Sequence, residues 1–342
     1  MIRFTWMQFR VQGLMAIGGL VLAAIVLALT GPNLVHLYDT TVLHCSAHGD
    51  CSAATTALVD KGDRVGIVLR VVVEVVPALI GLFWGAPLVA RELETGTYRL
   101  IWAQVTRTRW IAIKLGLLGL VSVAVAGLLS LMVTWWSSPL DRVRLTPFTS
   151  FDQRGLVPIG YAAFAFVLGV TAGAVIRRTL PAMAVVLGGF VVARLAVAHW
   201  LRPYLVSPLK IVTADSAITS PGSSPRSPRA LDPRDWVLSN QTINSHGQVI
   251  GEFGGIGASE STTTTLTSHG LAIKGVGTCP NIHSQSPENV QRCVDQLRLR
   301  EALTYQPISH YWALQWTELA IFFGAAVVLG GFCIWWVRRR LG

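Results

Sequence analysis

The sequence predicts an all-α polytopic membrane protein with six transmembrane helices and a small α+β ectodomain before the last of them. Three observations carry that prediction. Of the 342 residues, 52% are hydrophobic and only 13% charged, about half the charged share of an ordinary soluble domain. The apolar residues gather into six runs of roughly 20, the helical length that crosses a hydrocarbon layer of about 30 Å. The formal charge of +10 falls on one set of connecting segments, which excludes a nucleic-acid-binding surface.

Residues 1–13 come first. Ile2, Phe4, Trp6, Met7 and Phe9 interleave with Arg3, Gln8 and Arg10, the composition of an N-terminal helix lying in the interface; a plain extension of the first span is the competing reading. The spans follow at about Leu14–Thr30, Val65–Val89, Ala112–Trp136, Leu156–Ile176, Leu180–Leu201 and Leu314–Val337. Gly31-Pro32-Asn33 is a poor signal-peptide cleavage site, so the first run is read as a retained span. The chain thus divides into residues 1–13, spans 1–5 over 14–201, an extracellular domain over 202–311, and span 6 with a basic tail over 312–342.

With the N-terminus in the cytoplasm, the cytoplasmic segments hold twelve basic residues against two acids, Glu92 and Glu94, while the outside loops carry fourteen of each sign. That is the positive-inside distribution, with both termini inside. Cysteine usage points the same way. Cys45 and Cys51 fall in the outside loop 31–64, Cys279 and Cys293 in the last outside loop, and Cys333 within span 6. Even pairs in an oxidising compartment predict disulfides Cys45–Cys51 and Cys279–Cys293, each closing a short loop. A zinc site from His44, Cys45, His48 and Cys51 is the alternative for the first pair.

The second outside loop, Ser137–Gly155, follows Trp135 and Trp136, read as interface anchors. Within 202–311, Ser220–Pro233 is a Pro/Ser-rich linker and Ser259–Ser268 a polar stretch. Trp236–Ile250 alternates around Asn244-Ser245-His246-Gly247 as a β-hairpin. Ser286-Pro287-Glu288 starts a helix with Val290, Cys293, Val294 and Leu297 on one face. The sequence holds no Gly-Lys dipeptide and so no Walker A loop, and it has neither HExxH nor GxSxG. ATP hydrolysis by this chain alone is excluded.

The most informative stretch is the cytoplasmic loop 90–111, inside GAPLVARELETGTYRLIWAQVTRTRWIAIKL (Gly85–Leu115). It spends about 22 residues where roughly two to eight suffice between neighbouring helices. A break at Glu94-Thr95-Gly96 precedes Thr97 as N-cap and a short helix, Tyr98–Val105. Leu100, Ile101 and Val105 lie on one face, with Arg99 and Gln104 on the other. Such a helix can dock on a soluble partner or simply connect two spans, and the spacing leaves both open.

The segment ARELETGTYRL resembles the loop after the second span in type-2 ABC (ATP-binding cassette) transporter permeases, whose fold is shared with the G family of ABC exporters. The order of elements is similar too, with a large outside insertion before span 6. The stretches Tyr305-Gln306-Pro307 through Gln315-Trp316-Thr317-Glu318 and Trp335-Trp336-Val337-Arg338-Arg339-Arg340 resemble actinobacterial permeases. The resemblance implies the membrane subunit of an exporter in a bacterial plasma membrane. Its implied partners are ABC ATPase subunits, a second copy or a sibling permease, and membrane lipids, with no nucleic acid. No cofactor is implied for this chain, since ATP and Mg would sit on the partner ATPase. By position, Arg91, Glu92, Glu94, Gly96 and Thr97 would shape a joint, and Tyr98, Arg99, Ile101 and Trp102 would lie on a coupling helix seated on the ATPase. A non-transporting receptor or anchor with a ligand-binding ectodomain is the alternative. A membrane enzyme using His36, Asp39, His44 and His48 is a third.

Four charges remain inside spans: Arg70, Glu74, Arg194 and Glu318. Each costs about 2.5 kcal/mol or more in lipid, so each requires a partner. Arg70 and Glu74 are four residues apart on one helix face and can pair; a salt-bridge cluster, a gate and a substrate contact all fit the set. Pro77 predicts a kink above Gly81 and Gly85, whose spacing allows close helix approach, as does Gly169–Gly173 in span 4. Phe83, Trp84 and Phe190 are candidates to line a translocation path, or plain packing aromatics.

Overall fold

The computed structural model describes residues 2–42, 52–96, 106–141, 147–213, 232, 234–243, 247–253, 264–267, 270–273, 277–279 and 300–340. Six helices among them are long and apolar enough to cross a membrane: Gly13–Thr40, Val65–Thr95, Thr108–Ser138, Pro147–Ile176, Thr179–Leu205 and Ile308–Arg340. Each contains one predicted span whole. The differences lie at the ends.

Helix α1 (Ile2–Leu37) runs without a break through residues 2–13 and span 1, so the segment predicted as a separate interfacial helix continues the first span. A π-helical turn carries the chain to Val42, and α2 (Ser52–Leu79) begins ten residues later. Most of the loop predicted over 31–64 is therefore helix. Pro32 inside α1 removes one backbone donor, and the turn around it is held by side chains: Thr30 Oγ1 donates to the Val26 carbonyl at 2.7 Å and Asn33 Nδ2 to the Leu29 carbonyl at 3.1 Å.

Helix α2 passes through Pro77 and turns π-helical over Ile80–Gly85 before α3 (Ala86–Thr95) completes span 2. Gly96 ends α3 at φ 73°, a left-handed cap that favours glycine. Span 3 is α4 (Arg107–Asp141), opened by the Trp110 N–H on the Thr106 carbonyl at 3.0 Å. A 3-10 segment, Pro147–Gln153, leads into α5 (Val157–Ile176, span 4). Then come α6 (Thr179–Ala196, span 5), a π-turn Val197–Leu201, the short α7 (Arg202–Leu205), and α8 (Tyr311–Arg340, span 6).

Span 4 is the centre of the bundle: 72% of its most apolar stretch is buried, against 6% in span 1. One core cluster joins Leu88, Trp110, Ile111, Phe166, Val170 and Cys333 from spans 2, 3, 4 and 6. A second joins Leu27, Leu34, Leu69, Val73, Val133 and Trp136 from spans 1, 2 and 3. Trp135 is exposed, but Trp136, predicted as an interface anchor, is buried, and its Nε1 donates to Thr30 Oγ1 at 2.9 Å. The outer surface carries Leu14, Leu22, Leu120, Leu131, Leu180 and Val328, all largely exposed, an apolar exterior suited to lipid.

Spans 2 and 4 touch backbone to backbone. A Cβ on Gly81 would stand 2.6 Å from the Ala165 carbonyl oxygen, on Gly85 2.6 Å from that of Phe166, and on Gly173 2.5 Å from that of Ala86; one on Gly169 would collide with the Gly81 carbonyl. Two pairs of glycines, each four residues apart, permit this approach, and any side chain would prevent it.

The chain forms two compact units, Met1–Arg202 with Trp312–Gly342, and Pro203–Tyr311. The second contains an antiparallel sheet in the order β1-β7-β2-β3, from β1 (Leu209–Thr213), β2 (Trp236–Ile243), β3 (Val249–Phe253) and β7 (Arg300–Gln306). A smaller sheet holds β4 (Thr264–Thr267), β5 (Gly270–Ile273) and β6 (Gly277–Cys279). Strands β2 and β3 are the predicted hairpin, with Gly247 at φ 75°. Strand β1 pairs with β7 from Leu209↔Tyr305 to Thr213↔Glu301, bringing the two ends of the unit side by side. Ahead of β2, hydrogen bonds from Arg234 hold the Asp232 carboxyl down at about 2. Cys279 is buried at the end of β6 and is not a free thiol. Cys45, Cys51 and Cys293 lie outside the described residues, and so do both predicted pairings, the zinc alternative and the helix predicted from Ser286.

Candidate functional site

Two polar constellations stand at opposite ends of the bundle, separated along span 2 by the 18 residues from Glu74 to Glu92, roughly 27 Å of helix.

The first centres on Glu318, fully buried in span 6. Its carboxylate accepts from Arg202 Nε and Nη2, both at 2.8 Å, and from the Tyr161 hydroxyl at 2.6 Å. That hydroxyl also lies 3.1 Å from Asp152, and with one proton it donates to one acid at a time. Asp152 accepts from Arg202 as well. Arg194 stands 3.6 Å from Asp152 and 3.4 Å from Glu74. Spans 2, 4, 5 and 6 thus meet at one ionic network of three carboxylates and two guanidiniums. Phe190 and Phe322 pack edge-on to the Tyr161 ring at 6.1 and 4.8 Å, and the Arg202 guanidinium lies 4.6 Å over Phe151.

Local structure explains how Asp152 reaches this place. The 3-10 segment is pinned by Gln315, also fully buried, whose Oε1 accepts from the Leu156 and Val157 N–H groups at 2.9 and 3.2 Å. Its Nε2 donates to the Phe151 carbonyl at 3.1 Å. Gly155 turns at φ 69°, where a Cβ would stand 2.8 Å from Gln315 Oε1.

Three of the four intramembrane charges named from sequence, Glu74, Arg194 and Glu318, come together here. Asp152, Tyr161 and Arg202 were missed. Asp152 and Arg202 sit in stretches that read as outside loops, yet both fold back against the spans. The expected Arg70–Glu74 pair is not formed: Glu74 faces Arg194 across the helices, and Arg70 Nε is buried without a hydrogen-bond partner. Of the path candidates, Phe190 is buried against Tyr161, Trp84 is half-buried against the main core cluster, and Phe83 is exposed.

The second constellation lies at the end of α3. Glu92 is buried and pairs with Lys114 of span 3 at 2.6 Å, with Lys114 4.7 Å from the Trp110 ring. Lys114, one of the twelve basic residues assigned from sequence to the cytoplasmic segments, is instead a buried partner seven residues into α4. Glu94 is exposed and reaches span 5. It accepts from the Thr179 backbone N–H at 2.9 Å and from Thr179 Oγ1 at 2.6 Å, capping the first turn of α6. Arg91 is exposed. The last turn of α3 is therefore fastened to span 3 through one acid and to span 5 through the other, just before the Gly96 break. Thr97, Tyr98, Arg99, Ile101 and Trp102 lie outside the described residues.

No curated protein and no solved structure matches this chain. The profile of ABC-2 membrane transporter related proteins matches residues 17–202, a stretch that holds spans 1 to 5, the doubly fastened end of α3 and every member of the ionic network except Glu318. With more than half its length under that profile and six membrane-length helices in the fold, the chain belongs to the ABC-2 membrane transporter related family.

Proposed function

We propose that the chain is the permease subunit of an ABC exporter, carrying an amphipathic or hydrophobic molecule outward by alternating access. A separate ATPase subunit, bound to Tyr98–Val105 as the coupling helix, drives the cycle, and a second copy or a sibling permease completes the pathway. Both termini face the cytoplasm of a bacterial cell. The chain itself is non-catalytic and holds no cofactor, since ATP and Mg belong to the ATPase. The observation that carries this reading is the end of α3, where Glu92 and Glu94 tie the residues before the coupling segment to spans 3 and 5. A push received at 97–105 is delivered to two more spans at once. Neither a receptor nor an anchor needs that linkage.

The test is co-purification with an ABC ATPase followed by substrate-stimulated ATP hydrolysis. Deleting residues 98–105 is expected to abolish both while leaving a monodisperse membrane protein. Undiminished ATPase binding by the deletion variant would remove the coupling assignment. At the other end, the partly exposed Glu74–Arg194–Asp152 contacts form the outer gate in this reading. Transport with intact ATP coupling in a Glu74→Gln variant would eliminate the gate while leaving the permease assignment standing.

A further inference from the structure

The basic end of the bundle has no acids left. Arg338, Arg339 and Arg340 occupy the last turn of α8, and Arg177, a left-handed residue at the end of α5, donates from Nη2 to the Arg340 carbonyl at 3.2 Å. That contact sets exposed Arg177 beside the last turn of α8, which carries three more exposed arginines. None of the four makes an ion pair among the described residues. Among the described residues at this end of the bundle, the two side-chain carboxylates are already engaged: Glu92 is buried against Lys114, and Glu94 accepts from Thr179. Among the described residues the patch has no counter-charge, which leaves it open to an anionic partner.

The aromatic neighbours indicate what kind of molecule it is. The Arg339 guanidinium lies 5.5 Å over the Trp335 ring and that of Arg340 5.7 Å over Trp336, with Phe332 5.8 Å from each indole. Indole rings at the end of a span settle in the headgroup layer. Stacking draws the guanidiniums back to that level instead of projecting them beyond it, and leaves their N–H edges free. A planar fork of that kind matches the oxygens of a phosphate. We propose that Arg177 and Arg338–Arg340, with Trp335 and Trp336 as their platform, form a binding site for the phosphate headgroup of an anionic phospholipid. The carboxylates of a docking protein would meet charges extended past the ring layer.

The site can be tested on the full chain in phosphatidylcholine vesicles carrying a trace of spin-labelled phosphatidylglycerol or spin-labelled phosphatidylcholine, reading the motionally restricted fraction of each label. The expected result is a preference of about twofold or more for the anionic label at low salt, weakened at high salt and abolished in R177Q/R338Q/R339Q/R340Q. The corresponding quadruple Lys variant keeps the charge but loses the fork and the stack, so it should retain only part of the preference. Equal association of the two labels with the unaltered chain would overturn the site, as would a preference surviving in the Gln variant. Full preference in the Lys variant would overturn it too, reducing the patch to plain charge attraction. Absence of lipid preference, with the Gln variant losing only a co-purifying ATPase, would assign the patch to a protein contact instead. The permease reading could fail without touching any of these outcomes.

Discussion

Glu318 has no contact with solvent and three hydrogen-bond donors within 2.8 Å. Removing a buried carboxylate strands its partners, a loss of typically 3–5 kcal/mol. Glu318→Ala should therefore lower the thermal unfolding temperature in detergent far more than Tyr161→Phe, which forfeits about 1–2 kcal/mol of hydrogen bonding. At the other end, Lys114→Met and Glu92→Gln should each destabilise, while the double variant recovers part of the loss. A coupling energy near zero in that cycle would mean that the pair contributes nothing. The legibility of such residues follows their surroundings. Glu74, Arg194 and Glu318 stand out because a charge in an apolar run is conspicuous. Asp152 hides in a polar-looking connection, and Tyr161 among apolar neighbours looks like any packing aromatic. Lys114 was misplaced because its partner lies 22 residues away in sequence, beyond any local spacing rule.

Among the elements, the four-glycine crossing of spans 2 and 4 makes the sharpest forecast. Gly85→Val and Gly169→Val force side chains into backbone and should abolish the monodisperse peak in size-exclusion chromatography. Gly18→Ala and Gly116→Ala, with open space around them, should be neutral or stabilise by up to about 1 kcal/mol through helix propensity. The Glu94 cap calls for a functional readout. Thr179→Val keeps the helix but removes the hydroxyl donor, and the proposed coupling predicts less substrate moved per ATP with ATP hydrolysis retained; an unchanged ratio would show that the cap transmits nothing. The six spans were legible because apolar runs of membrane length have few other uses. Their ends were not, because the helices continue past Thr30 and Val89: around Pro32 the side chains of Thr30, Asn33 and Thr40 bond back to helix carbonyls, and Glu92 is neutralised by Lys114.

For the whole molecule, the distribution of charge sets an orientation that single-cysteine labelling can check in a background lacking the native cysteines. Ser223→Cys should react with an impermeant thiol reagent on intact cells, whereas Gly342→Cys should react only after permeabilisation. The reverse pattern would invert the topology and move the coupling segment outside. Composition announced the membrane class and a separate unit before the last span. The internal sheets of that unit were only partly readable, since β1 and β7 pair residues almost a hundred positions apart.

The glycine crossing also has a mechanical meaning. Two helices whose backbones touch at Gly81, Gly85, Gly169 and Gly173 cannot slide by a fraction of a turn without collision, so they travel as one piece. That piece is bounded along span 2 by Pro77 on one side and by left-handed Gly96 on the other. In the proposed mechanism span 2 acts as a connecting rod, with the Gly96 break at one end and the Pro77 turn, which lacks one backbone donor, at the other, and span 4 moves with its shaft. In the proposed cycle, motion arriving at Gly96 would leave at Pro77, one turn from Glu74, with little lost to bending between.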